Sequence, residues 1–339
     1  MNSKVKAAST IFNDWSALVL QNDFASLTVL PELGGKIASV KSLITGREFL
    51  WQDDSRPYRL RHYGDKYGDY DASGFDECFP TIGECIYPEF PWENVTIPDH
   101  GELWCTPWLC ELRGETIYLH THGIRFPYHF EKWVMLSPDD GTYTIAYRVT
   151  NLAPYDFQYS WSAHPLFAAC EGMRILLPGL PQARLVFAIG DRVAGAFLES
   201  YTWPHLRAPS GEAIDYSVVG ARTVAANDKV YADAEGWCAL HDPRTGDFVA
   251  LSFSPDEIPL IGVCVNHCGW PLDGVRGYWV ALEPCTSYPD PLDEAMRYKK
   301  NATIPARSSV EWSLTLHIGQ ANSADEVQRL MSVKQGNSE

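Results

Sequence analysis

Hydrophobic and polar residues alternate along residues 155–167, YDFQYSWSAHPLF. Tyr155, Phe157, Tyr159, Trp161 and Ala163 fall on one side; Asp156, Gln158, Ser160, Ser162 and His164 fall on the other. A period of two predicts a half-buried strand, its aromatic side in a core. Pro165 is expected to stop the ladder and leave His164 at a strand end. Three further segments in series read as strands: residues 115–122, 128–136 and 142–150, with Pro138-Asp139-Asp140-Gly141 as a tight turn before the last. Within that last segment Tyr143, Ile145, Tyr147 and Val149 share a face.

The same reading places strands at 25–30 and 36–40, separated by a turn at Pro31-Glu32-Leu33-Gly34-Gly35 and followed by one at Thr45-Gly46-Arg47. Short strands are expected near 173–177, 194–200, 237–241, 247–253, 260–266 and 277–283. Near the end Val310, Trp312, Leu314 and Leu316 alternate with polar residues. Residues 52–75 and 83–99 show no period and read as long loops, which in compact domains are often functional. One helix is expected, at about 323–333, where Ser323-Ala324-Asp325-Glu326 forms a capping box; the last residues, 335–339, are expected to fray. Many short strands with turns between them predict an all-β sandwich or barrel, arranged as one large domain over residues 1–339.

Composition narrows this picture. The 339 residues carry 27 Lys and Arg against 43 Asp and Glu, a net charge of −16, which predicts a soluble chain repelled by nucleic acid and anionic lipid. No apolar run is long enough for a transmembrane helix, and the start of the chain lacks the apolar stretch of a secretory signal, so a cytoplasmic location is expected. The nine cysteines include no C-x-x-C pair. Free thiols in a reducing compartment are expected, with Cys105, Cys110, Cys264 and Cys268 as small core residues.

Candidate chemistry begins with the histidines. His120 and His122 share a strand face but have no recognisable third metal ligand, so a solvated pair is expected. His267 and Trp270 lie in one loop, where an aromatic beside polar groups suits a sugar face; a packing role serves equally well. His164 ends a polar strand face kept narrow by Ser160 and Ser162. His100 precedes Gly101, a residue that lets a ligand approach the backbone. Glu283 ends the apolar run GYWVAL just before Pro284, and a carboxylate there is costly unless paired or solvated in a cleft. Two strands thus each deliver a titratable group ahead of a proline.

Taken in order, Asp99-His100-Gly101, Trp161-Ser162-Ala163-His164-Pro165-Leu166-Phe167 and Ala281-Leu282-Glu283-Pro284 resemble the aldose 1-epimerase (galactose mutarotase) superfamily, in particular its divergent members. The early segment LTVLPELGGKIASV is similar to that family's opening strands, and the resemblance covers about residues 23–318. It implies a large antiparallel β-sandwich, the supersandwich, with sugar bound on a concave face. It also implies His164 as general acid, Glu283 as general base, His100 as a second histidine at the ring oxygen, and Asp228 as a residue binding sugar hydroxyls. Two departures stand out. Acids, Asp76 and Glu77, occupy the segment where the family has an arginine, and Glu102 stands where a second glycine is usual. Asp76 and Glu77 are strong acceptors for hydroxyls, and no basic cluster offers itself to a phosphate.

The activity implied is interconversion of the α and β anomers of a free aldose, which needs one acid and one base and no metal or organic cofactor. His164 must then be protonated, and Glu283 beside it is expected to raise its pKa. The expected partner is a small-molecule sugar, with neither nucleic acid nor membrane, in a monomer or homodimer. Two other readings share the scaffold: a non-catalytic carbohydrate-binding protein, and a glycoside hydrolase or lyase using Asp76 or Glu77 with Glu283. Motifs for ester hydrolysis, nucleotide binding and hydride transfer are absent from the sequence.

Overall fold

The computed structural model describes residues 5–272 and 275–336. Two antiparallel sheets dominate it. The larger has eleven strands, in spatial order Lys6–Phe12, Trp15–Gln21, Ala25–Leu30, Lys36–Ser42, Phe75–Cys78, Ser162–Ala168, Tyr278–Cys285, Leu260–His267, Asn227–Asp233, Gln182–Ile189 and Ser200–Thr202. The smaller has eight: Arg174–Leu176, Trp237–His241, Asp247–Phe253, Ser309–Gln320, Thr142–Asn151, Tyr128–Leu136, Thr116–His122 and Leu109–Arg113. Alternation drives their packing. Val230, Val263, Val280 and Leu282 of the larger sheet join Ile145, Tyr147, Val249 and Leu314 of the smaller in one apolar cluster. Each such aliphatic side chain, fully buried, stabilises by about 1.5–3 kcal/mol. The opposite face of the larger sheet is free to build a site.

The all-β sandwich is as the alternation predicts, and several elements correct the reading in detail. Residues 155–167 do not form one strand. Phe157–Tyr159 pairs with Ala302–Ile304, and the chain re-enters the larger sheet at Ser162–Ala168, with Tyr155 exposed. Neither proline ends its strand: Pro165 lies inside Ser162–Ala168 and Pro284 inside Tyr278–Cys285. Instead the ladder between these two strands lapses. It pairs Ser162 with Cys285 and resumes only at Leu166 with Ala281. Each proline lacks the N–H that the ladder needs, so the gap is local and both strands run on.

No strand covers 194–199; Leu198 is in the left-handed region at φ 60° and the next strand is Ser200–Thr202. The expected loop at 83–99 holds two short strands, Cys85–Ile86 and Thr96–Ile97. A second, six-residue helix, Leu292–Arg297, joins the expected one, Ala324–Gly336. In the capping box Ser323 Oγ accepts from the Glu326 N–H at 3.2 Å, while Glu326 reaches back to the Asn322 N–H. The expectation for residues 335–339 falls mostly outside the described residues. All nine cysteines are free; Cys105 and Cys264 are buried, but Cys110 is exposed and Cys268 half-buried. Among the described residues no helix is long and apolar enough to cross a membrane.

Candidate active site

The register of the larger sheet assembles the site. Continuing the pairing of Ser162 with Cys285 and Leu166 with Ala281 sets His164 directly opposite Glu283, within the stretch where the ladder lapses. Both project to the face away from the core, because Ala163, Val280 and Leu282 take the inner face. His164 Nε2 lies 4.0 Å from Glu283 Oε1. Beyond Glu283 the neighbouring strand places Gly262 directly opposite it, flanked on this face by Leu260 and Cys264. A Cβ at Gly262 would come within 2.9 Å of Glu283 Oε2, so glycine there makes room for the carboxylate. Across that low ridge Lys229 Nζ reaches Glu283 Oε2 at 2.8 Å and Asp290 Oδ1 at 2.8 Å.

His100 arrives from a loop. Its φ is +61°, a left-handed conformation that costs a non-glycine residue about 1–3 kcal/mol. The loop is held by backbone bonds: His100 N–H to Ile82 O at 2.8 Å, Gly101 N–H to Pro98 O at 2.9 Å and Glu102 N–H to Phe79 O at 2.7 Å. Gly101, at φ +72°, is required, since a Cβ would stand 2.1 Å from the Phe79 carbonyl oxygen. Glu102 is buried. Its carboxylate accepts from the Ile124 and Arg125 N–H groups, at 3.0 and 2.8 Å, and from the Tyr128 hydroxyl at 2.9 Å. It pins the histidine loop to the smaller sheet and takes no part in the cavity.

Tyr67 ties the histidines together. Its ring stacks on His100 with centroids 4.1 Å apart, and its hydroxyl lies 3.5 Å from His164 Nδ1. The cavity that results is about 310 Å³, at the lower end of small-molecule sites, and mixes these polar groups with Ile82, Phe187, Ile189, Trp270 and Trp279.

The two histidines differ in charge. Burial drives the His164 pKa well below its ordinary value, and the positive charges of His100, Lys229 and Lys36 push the same way. The expectation that Glu283 would raise it is therefore corrected: burial and the cationic neighbours favour the neutral imidazole. Burial would also depress His100, but the Asp99 carboxylate, with Oδ1 3.0 Å from Nδ1, outweighs it and raises the pKa above the ordinary value. Burial raises the Glu283 pKa, and Lys229 works against that rise. Burial likewise opposes charge on Lys229, but Asp290 and Glu283 together hold its pKa well above the usual range.

Of the residues singled out from sequence, His164, Glu283, His100 and Trp270 line this one cavity. Asp228, Asp76, Glu77 and His267 do not. Asp228 shares the inward face of its strand with Val230 and Ala232; it pairs with Arg192 at 3.2 Å, and burial raises its carboxyl pKa to about 6. Asp76 is locked in a buried group in which Lys36 and Arg61 meet Asp71 and Asp76 at 2.6–3.1 Å. Glu77 faces the core and accepts from Lys132, Tyr147 and Trp161 at 3.2, 2.9 and 3.1 Å. His267 is buried, with its Nε2 accepting the Gly220 N–H at 2.9 Å. His120 and His122 sit beside His129 on the smaller sheet, and no metal-sized group of His, Cys, Asp or Glu occurs among the described residues. The sequence reading missed Lys229, Asp290 and Tyr67. The parity of Asn227–Asp233 carries a signal for the first: Lys229 falls opposite in facing to Asp228, Val230 and Ala232.

No family model matches the chain. Solved structures do resemble it. A galactose mutarotase-like protein from Lactobacillus casei aligns with 89% of this chain and 100% of its own at 17% identity and a TM-score of 0.61. One from Clostridium acetobutylicum aligns with 94% and 99% at 13% identity and 0.62. A proposed aldose 1-epimerase from Klebsiella pneumoniae aligns with 94% and 83% at 15% identity and 0.67. The chain therefore has the galactose mutarotase-like β-sandwich fold.

Proposed function

We propose that the protein is an aldose 1-epimerase, interconverting the α and β anomers of a free, uncharged aldose. The observation that carries this reading is the convergence of His100, His164 and Glu283 in one cavity, with His164 Nε2 4.0 Å from Glu283 Oε1. The hydroxyl at C1 and the ring oxygen are bonded to the same carbon, so an acid and a base acting on them must stand close together. Glu283 takes the C1 hydroxyl proton. The C1–O5 bond breaks, its electron pair goes to the ring oxygen, and that oxygen is protonated. Rotation about C1–C2 of the open aldehyde and the reverse steps close the other anomer. The acid is assigned to His100, because Asp99 raises the pKa of that imidazole; His164, whose pKa burial lowers, hydrogen-bonds the reacting oxygens. Trp270 and Trp279 supply apolar faces for the ring.

The hydrolase reading loses its carboxylate pair, since Asp76 and Glu77 are engaged elsewhere. The sugar-binding reading is separated by experiment. Polarimetry on freshly dissolved α-glucose, α-galactose and rarer aldoses is run with the protein and with Glu283→Gln. Acceleration that falls by about 10²–10⁴-fold in the variant supports the epimerase. Sugar binding without acceleration for any aldose supports a binding protein instead.

A further inference from the structure

Lys229 is a buried cation inside a strand, and the acid–base reaction assigns it no proton to move. Its ammonium sits between two carboxylates at 2.8 Å each, Glu283 Oε2 and Asp290 Oδ1. Asp290 is itself fixed, because the Tyr231 hydroxyl donates to its carboxylate and its backbone oxygen accepts from the Ile82 and Gly83 N–H groups at 3.1 and 2.9 Å. Asp290 is thus a rigid post, Lys229 a bridge and Glu283 the end that faces the cavity.

We propose that Lys229 is a positioning residue for Glu283, holding the carboxylate in place and in its ionised form, and that Asp290 sets how strongly it does so by competing for the same ammonium. The assignment rests on the epimerase reading for its consequence in turnover, but not for the interaction itself.

The charge arrangement around Glu283 supports it. His164 faces the carboxylate from the opposite strand and is neutral, so it supplies no counter-charge. His100, its pKa raised by Asp99, acts from the loop; Cys78 and Cys264 contribute only buried thiols, each pushed well above the ordinary value by burial, and the Cys285 thiol is raised likewise. Tyr231 is also pushed up by burial and stays a neutral donor. Lys229 is the cation in direct contact. Without it, a buried carboxylate takes up a proton and ceases to be a base. Asp290 has the opposite influence, drawing on the same ammonium and raising Glu283.

The two partners therefore predict shifts of opposite sign. Protein carrying ¹³C-labelled glutamate carboxyls is titrated by NMR, with the Glu283 signal assigned by its loss in Glu283→Gln. Lys229→Met should raise the Glu283 midpoint by at least about one pH unit, and Asp290→Asn should lower it, with Lys229→Arg close to the unmodified protein. In anomer exchange the acid limb of kcat/KM should move with the midpoint, upward in Lys229→Met and downward in Asp290→Asn. Should Lys229→Met fail to fold, Asp290→Asn and Lys229→Arg still decide the matter. An unmoved midpoint in Asp290→Asn, or shifts of the same sign in both variants, overturns the proposal. If the midpoints move as stated while no aldose is turned over, the epimerase reading fails and the role of Lys229 stands.

Discussion

At the residue scale, charge decides the part each group in the cavity plays. Burial next to three cations lowers the His164 pKa, whereas the Asp99 carboxylate, helped by Glu283, raises that of His100. The two substitutions therefore have different signatures. His100→Asn should abolish the fall of kcat/KM at high pH along with most of the rate, whereas His164→Asn should lower kcat/KM and leave the alkaline limb where it was; pH–rate profiles of the two variants check this. Gly262 gives a steric counterpart. Alanine there would place a methyl group 2.9 Å from Glu283 Oε2. Gly262→Ala should cut the anomer-exchange rate by about tenfold or more, through displacement of the base by a fraction of an ångström, with little change in far-ultraviolet circular dichroism.

At the element scale the buried charges that sequence offered as sugar contacts belong to the scaffold. Lys36 and Arg61 neutralise Asp71 and Asp76 beneath the site, and Tyr67, which touches both histidines, leans on Asp76 at 3.4 Å. Removing one member leaves a buried charge unpaired, so Lys36→Met should lower stability in urea by about 3–5 kcal/mol at pH 7. Burial would raise the Asp71 pKa, but Lys36 and Arg61 hold it well below the ordinary value. A depressed folded pKa contributes stability above the unfolded value of about 3.9 and loses it as pH falls through the folded one. The gap between Lys36→Met and the unmodified protein should therefore narrow below about pH 4. Glu77, on the core side of the strand that carries Asp76, is the parallel case. Glu77→Ala should destabilise by a similar few kcal/mol and leave sugar affinity in the surviving folded protein unchanged, as read by titration calorimetry.

Legibility followed the same physics. Strands with one wet face, such as Tyr128–Leu136 and Thr142–Asn151, announce themselves by period; their burial alternates residue by residue. Phe75–Cys78 is buried on both faces and Lys6–Phe12 is an exposed edge, so neither shows a period of two. The helix Leu292–Arg297 is too short for a helical period. His100, His164 and Glu283 could be found because each sits beside a glycine or proline in a recognisable order. Lys229 could not be paired from sequence, since its partners come from a strand two places away and from a loop 61 residues on. Asp228 resembles a family aspartate through its sequence neighbours, although its parity with Val230 and Ala232 sets it toward the core.

At the scale of the whole molecule, an acidic chain presents a cavity whose cations are already engaged. Lys229 holds two carboxylates and His100 a third, so among the described residues lining the cavity no cation is left to pair with an anionic sugar. Uronic acids and sugar phosphates should be poorer substrates than the matching neutral aldose, by about tenfold or more at low salt, and the gap should shrink as salt rises. Competition in an NMR exchange assay measures it directly.

The central claim is that this cavity exchanges anomers with a charged His100 as acid and Glu283 as base. It is tested most directly by the pH dependence of anomer exchange, measured by NMR saturation transfer between pH 5 and pH 9, in the unmodified protein and in Asp99→Asn. A bell-shaped kcat/KM is expected, with its acid limb from Glu283 and its alkaline limb from His100. Losing the Asp99 carboxylate should carry the alkaline limb to lower pH and leave the acid limb nearly still. Exchange with an alkaline limb that Asp99→Asn does not move would contradict the choice of acid, and no exchange at any pH would contradict the function.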